Sequence, residues 1–182
     1  MMMTPFYIVL GIGAVMIAAV IIVLILAATK PNSFRVERSI DIAAPAAKIF
    51  PYFEDLRQQR LWSPWDQKDP AMKRTYSGAE KGVGAVYAWD GNKEIGAGRQ
   101  EITSVTPHSK IEANIDFFRP MQVSNHIEYI LRPAGNGTNV TWAIYGPMPF
   151  MSKIMSIFMS FDKMVGNEFE KGLKQLKGLA EK

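Results

Sequence analysis

The chain has 182 residues, 48% apolar and 21% charged, with a net charge of +4 and a pI near 9.3. That length fits one domain of ordinary size plus a short extra segment. Bases alternate with acids, as in Glu168, Glu170, Lys171, Lys174 and Lys177, so no nucleic-acid partner is expected. Cysteine is absent, which excludes disulfides, thiolate metal ligands and thiol nucleophiles.

Charge is unevenly placed, and residues 6–29 carry none. Phe6 to Ala28 is an unbroken apolar run. At about 1.5 Å per residue it crosses a hydrocarbon core of roughly 30 Å with some tilt. A cleaved signal would carry a basic leader and an apolar stretch of about 7–15 residues. Nothing basic precedes Phe6, and the run is longer than that. Residues 1–29 therefore read as a retained transmembrane helix and residues 30–33 as a linker, leaving 34–182 as the soluble domain. Lys30, Arg35, Arg38 and Lys48 follow the helix, so the positive-inside rule puts that domain in the cytoplasm.

From Phe34 to Ile42 apolar and polar residues alternate, the pattern of a half-buried strand, with Arg38 the misfit on the apolar face. Ile49, Phe50, Phe53 and Leu56 form a helical face after Pro45, and Pro51 should divide that helix. A second short helical piece is expected over Arg57 to Leu61, left by Trp62-Ser-Pro-Trp65. Strands are expected over Lys73 to Tyr76, Val83 to Asp90 and Glu94 to Val105, with Gly96 and Gly98 marking a bend or bulge in the last. Three further alternating segments follow, through Ile111, Val123 and Val140, the last two joined at a Gly135-Asn-Gly137 hairpin. The end is helical: a Met- and Phe-rich piece from Met148 to Phe161, then an amphipathic one from Asp162 to Leu179. An antiparallel sheet with one polar face must cover the other, and the terminal helix is the element long enough to do so.

The alternation points Ile115, Phe117, Asn125, Ile127, Tyr129, Trp142 and Ile144 inward, with Tyr87 and Trp89 beside them. With Met155, Phe158 and Met164 from the helical end, these are the candidate lining of a cavity for an apolar ligand, oriented by a few polar groups such as Asn125, Tyr129 and Trp142. No inward carboxylate, lysine or histidine suits general acid–base work, so no catalytic residue is assigned. His108 falls in a turn and His126 on the solvent face, which leaves no metal site, and no cofactor is expected. The Gly82-x-Gly84 and Gly96-x-Gly98 pairs lack the following helix that a phosphate loop needs. The Met- and Phe-rich piece admits two readings: a core helix packed on the sheet, or a membrane-facing gate at the cavity mouth.

An ordered set of strings carries a family resemblance. It runs from Ser39-Ile-Asp-Ile-Ala-Ala-Pro45 and Trp62-Ser-Pro-Trp65 through Tyr76-Ser-Gly78, Gly82-Val-Gly84 and Tyr87-Ala-Trp89-Asp-Gly-Asn92. Glu101-Ile-Thr103, Val140-Thr-Trp142 and Phe169-Glu-Lys-Gly-Leu173 complete it. Over about residues 34–180 the chain resembles the START-related SRPBCC superfamily, its polyketide cyclase/dehydrase and lipid-transport subgroup. The resemblance implies an α+β helix-grip fold, a curved antiparallel sheet of about seven strands wrapped around a long C-terminal helix. It also implies an apolar cavity holding a lipid or other hydrophobic small molecule. A membrane-anchored binding protein is the leading expectation, and a cyclase/dehydrase-type enzyme acting in the same cavity is the alternative. Oligomeric state and ligand identity stay open.

Overall fold

A computed structural model of the protein describes residues 4–182, with side chains from Tyr7 onward. The chain divides into two compact units. The first contains helix α1 (Thr4–Thr29) and the segment Met148–Phe161, within which α6 (Phe150–Phe158) lies. Tyr7–Thr29 has a mean hydropathy of 3.2 and is exposed rather than packed in a core, and it is long enough to cross a membrane. α6 packs against α1.

The second unit, Arg35–Pro147 with Asp162–Lys182, is an α+β domain whose first strand and last helix begin just outside it. Its sheet has seven strands: β1 (Ser33–Ile42), β2 (Lys73–Gly78), β3 (Ala85–Asp90), β4 (Ala97–Thr106), β5 (Lys110–Arg119), β6 (Val123–Ala134) and β7 (Gly137–Pro147). They are ordered β1-β7-β6-β5-β4-β3-β2, so every neighbour except β1–β7 is a sequential hairpin partner. Between β1 and β2 run four short helices, α2 (Ala46–Ile49), α3 (Pro51–Glu54), α4 (Gln59–Trp62) and α5 (Pro64–Lys68). The expected division at Pro51 is present. Proline opens α3, where the missing N–H costs no helix bond.

The long helix α7 (Phe161–Ala180) buries Phe169, Gly172, Leu173, Leu176 and Ala180 on one stripe, the three-to-four spacing of a core-facing helix. Arg38, out of place on the strand pattern, is explained by α7. Its guanidinium donates twice to the Asp162 carboxylate, at 3.0 Å each, and once to Glu170 at 3.0 Å. The group lies where a side chain at position 166 would stand, so Gly166 makes room for it. The clamp holds Asp162's carboxyl below its ordinary value, through the hydrogen bond first, and pins the first turn of α7 to β1.

Candidate functional site

Strand register brings the inner face together in cross-strand rows. One row reads Tyr76, Tyr87, Gln100, Ile115 and Asn125 across β2 to β6. Ile102, Ala113, Ile127 and Ile144 form the next, and Ile111, Tyr129 and Trp142 the one after. On the other side lie Trp89, Gly98 and Phe117. Gly98 has no side chain because the Trp89 indole lies across it; a Cβ there would collide with the ring and with the Asp116 carbonyl.

Aromatic rings cover much of this face. Trp142 stacks on Phe169 of α7 with centroids 4.0 Å apart. Trp62 and Trp65 meet the Trp142 ring edge-on, at 5.0 and 5.6 Å. Tyr129 stacks on Phe53 at 4.4 Å. A second group joins Tyr76, Tyr87, Trp89 and Phe117 at 5.2 to 5.8 Å. Edge-to-face and offset contacts of this kind add to plain area burial.

Nine of the twelve expected lining residues lie on this inner face: Tyr87, Trp89, Ile115, Phe117, Asn125, Ile127, Tyr129, Trp142 and Ile144. Seven of them are buried, and Trp89 and Phe117 are partly exposed. The other three stand apart. Met155 and Phe158 belong to α6 in the first unit and are 46% and 70% exposed; Met164, on α7, is 52% exposed.

The polar groups inside fall into two sets. Gln59, Gln100, Asn125, Tyr129 and Trp142 form the first, all buried. Gln59 Nε2 donates to Gln100 Oε1 at 3.3 Å and, at 3.5 Å, lies near the Tyr129 hydroxyl. Among the described residues Gln100 Nε2, Asn125 Oδ1 and Trp142 Nε1 meet no hydrogen-bond partner, although the Gln100 side chain lies close enough to the Tyr129 hydroxyl to oppose the rise in its pKa. Two of these atoms donate and one accepts. Burial pushes the Tyr129 phenol well above its ordinary range, so it stays protonated.

The second set is built around an ion pair. Buried Asp66 accepts from Arg74 Nε at 2.7 Å and from the Tyr87 hydroxyl at 3.2 Å. Arg74 also reaches the carbonyls of Asp66, Asp69, Pro70 and Met72. Burial, and then the Asp66 charge, drive the Tyr87 phenol far up. A recess of ≈ 290 Å³ opens beside this pair, lined by Arg60, Asp66, Gln67, Pro70 and Arg74. Among the described residues no three His, Asp or Glu side chains converge as a metal site.

Sequence reasoning missed Gln59, Gln100, Asp66 and Arg74. For Gln100 the signal exists: it sits two residues before Ile102 and shares that residue's face.

The arrangement matches a known family. The model for "Polyketide cyclase / dehydrase and lipid transport" covers residues 33–181. The chain belongs to that family. Solved structures share its fold. The protein CV1439 from Chromobacterium violaceum superposes with a TM-score of 0.57 at 16% identity, covering 84% of this chain and 99% of its own. The Aha1 dimer from Colwellia psychrerythraea gives 0.57 at 17% identity, covering 81% and 96%. The di-domain ARO/CYC BexL of the BE-7585A biosynthetic pathway gives 0.60 at 12% identity, covering 86% of this chain and 53% of BexL. At these identities the likeness concerns the family's fold, not its chemistry. No curated protein matches the chain.

Proposed function

We propose that the protein is a membrane-anchored binding protein for a lipid-like hydrophobic small molecule, held between the inner face of the sheet and α7. One observation carries this reading. Gln100 Nε2, Asn125 Oδ1 and Trp142 Nε1 are buried without hydrogen-bond partners among the described residues, on a face that is largely aliphatic and aromatic. An unpaired buried polar atom costs about 1–3 kcal/mol, which a bound molecule offering a hydroxyl or carbonyl would recover. A largely apolar site with a few placed polar groups is the usual make-up of a small-molecule pocket.

The anchor is part of the same proposal, with residues 1–29 as the span, 30–33 as the linker and 34–182 as the binding domain. Three residues, Lys30, Pro31 and Asn32, separate Thr29 from Ser33 at the start of β1. At about 3.3–3.6 Å each they reach roughly 10 Å. So short a tether keeps a binding domain among ligands dissolved in the bilayer and raises their effective concentration. Lys30, Arg35, Arg38 and Lys48 favour a cytoplasmic domain.

Native mass spectrometry of the full chain released from detergent tests the reading. A co-purifying lipid, lost when Asn125 and Gln100 are both replaced by apolar residues, is the expected result. A chain that stays empty after incubation with total membrane lipid overturns it.

A further inference from the structure

We propose that α6 is a second membrane element, a short helix seated in the interfacial part of the leaflet that meets the C-terminal end of α1. This rests on reading α1 as a membrane span. Three contacts within the first unit fix where α6 sits. Met148 N–H donates to the Asn32 carbonyl at 2.8 Å, and Lys153 Nζ donates to the Asn32 side chain at 2.6 Å. The Phe161 ring meets Phe34 edge-on with centroids 4.9 Å apart. The segment thus leaves and returns beside the residues that immediately follow Thr29, where a span starting at Tyr7 reaches headgroup depth. At nine residues α6 is about 14 Å long, too short to cross but long enough to lie within one leaflet.

Its surface suits that position. Phe150, Met151, Met155, Phe158 and Met159 are 46% to 70% exposed in and just after a nine-residue helix, beside a helix of lipid-facing composition. Lys153, the one charged residue of α6, is turned inward to Asn32 and is 7% exposed. The Ser156 hydroxyl is satisfied within the helix by the Lys153 carbonyl at 2.7 Å. A helix meant for water would show the reverse: charge outward and Phe and Met inward. Exposed Met and Phe continuous with an apolar span match acyl chains, which adaptable thioethers and rings pack against without directional demands.

The chain has no cysteine, so single-site labelling is clean. The full chain is reconstituted in phosphatidylcholine/phosphatidylglycerol vesicles with a polarity-sensitive fluorophore on one introduced cysteine. The sites are Met155→Cys and Phe158→Cys on α6, Val15→Cys mid-anchor and Lys174→Cys on the exposed side of α7. Lipids carrying a spin label near the headgroup or near the chain end then report depth by quenching. Blue-shifted emission at both α6 sites, lost to the shallow label, with Val15 quenched by the deep label and Lys174 by neither, is expected. If Val15 is quenched deeply while both α6 sites behave like Lys174, α6 is not a membrane element and the anchor stands. If Val15 itself escapes quenching, the anchor reading falls and this proposal with it.

Discussion

Replacing Asn125 by leucine should stabilise the domain and weaken binding together. Asn125 is 5% exposed, ends its cross-strand row beside Ile115, and its Oδ1 has no partner among the described residues. Burying that acceptor costs about 1–3 kcal/mol, and a leucine of similar shape removes the cost. The side chain lies against Gly146, so the added branch gives back up to about 1 kcal/mol in crowding. The net gain is about 1 kcal/mol, or roughly 2–4 °C in Tm for a domain of this size. Ligand affinity should fall about tenfold with loss of a hydrogen bond worth about 1.4 kcal/mol in the complex. Tryptophan fluorescence during heating of the detergent-solubilised chain reads the first effect. Displacement of a fluorescent fatty-acid analogue reads the second. A lower Tm with unchanged displacement would refute the reasoning, because it would make Asn125 a structural hydrogen bonder rather than a ligand contact.

Arg38→Met should destabilise by about 1 kcal/mol by urea denaturation, a figure already discounted because Asp162 and Glu170 are largely solvated. Asp162's folded-state pKa is depressed, so this contribution is full above its ordinary value of 3.8 and is lost as pH falls below it; the wild-type and variant stabilities should converge in acid. Asp66→Asn should cost about 3 kcal/mol by the same assay, since it leaves the Arg74 charge half-buried with only neutral acceptors. Phe169→Ala should cost about 3–5 kcal/mol by opening a void against Trp142, and differential scanning calorimetry would show it as a sharply lower Tm.

The strands that alternate without interruption were legible. Ile111, Ala113 and Ile115 on β5 and Ile127, Tyr129 and Leu131 on β6 all point inward as their period of two requires. The start of β4 was not. The sequence suggested Glu94, but the Asn92 side chain accepts from the Glu94 and Ile95 N–H groups and holds them in a turn, so the strand begins at Ala97. Gln100 shares the inward face of Ile102 wherever the strand begins, and its polar side chain is what kept it from being read as inward. Asp66 was hidden for a different reason. Pro64 opens α5 instead of ending a helix, and the extra turn carries Asp66 into the interior. Arg38 looked like an error of pattern because its partners Asp162 and Glu170 lie more than a hundred residues away in the chain. The Met- and Phe-rich segment was found but drawn too long, since the helix stops at Phe158.

On the proposed function, the two polar clusters inside the domain divide structure from binding by how far each is satisfied. Asp66 is buried and Arg74 half-buried, yet the carboxylate has two donors and the guanidinium five acceptors. Removing either partner strands the other. Gln100, Asn125 and Trp142 are neutral, which lowers the cost of leaving them unpaired, and each keeps an unused donor or acceptor. Neutral groups can be left open in an apolar interior at a cost of a few kcal/mol, whereas charges cannot. On the proposed function, the open amides and indole are the ligand's contacts and the Asp66–Arg74 pair belongs to the fold. The double replacement of Asn125 and Gln100 should abolish ligand retention without unfolding the chain, while Asp66→Asn should weaken the fold before it touches binding.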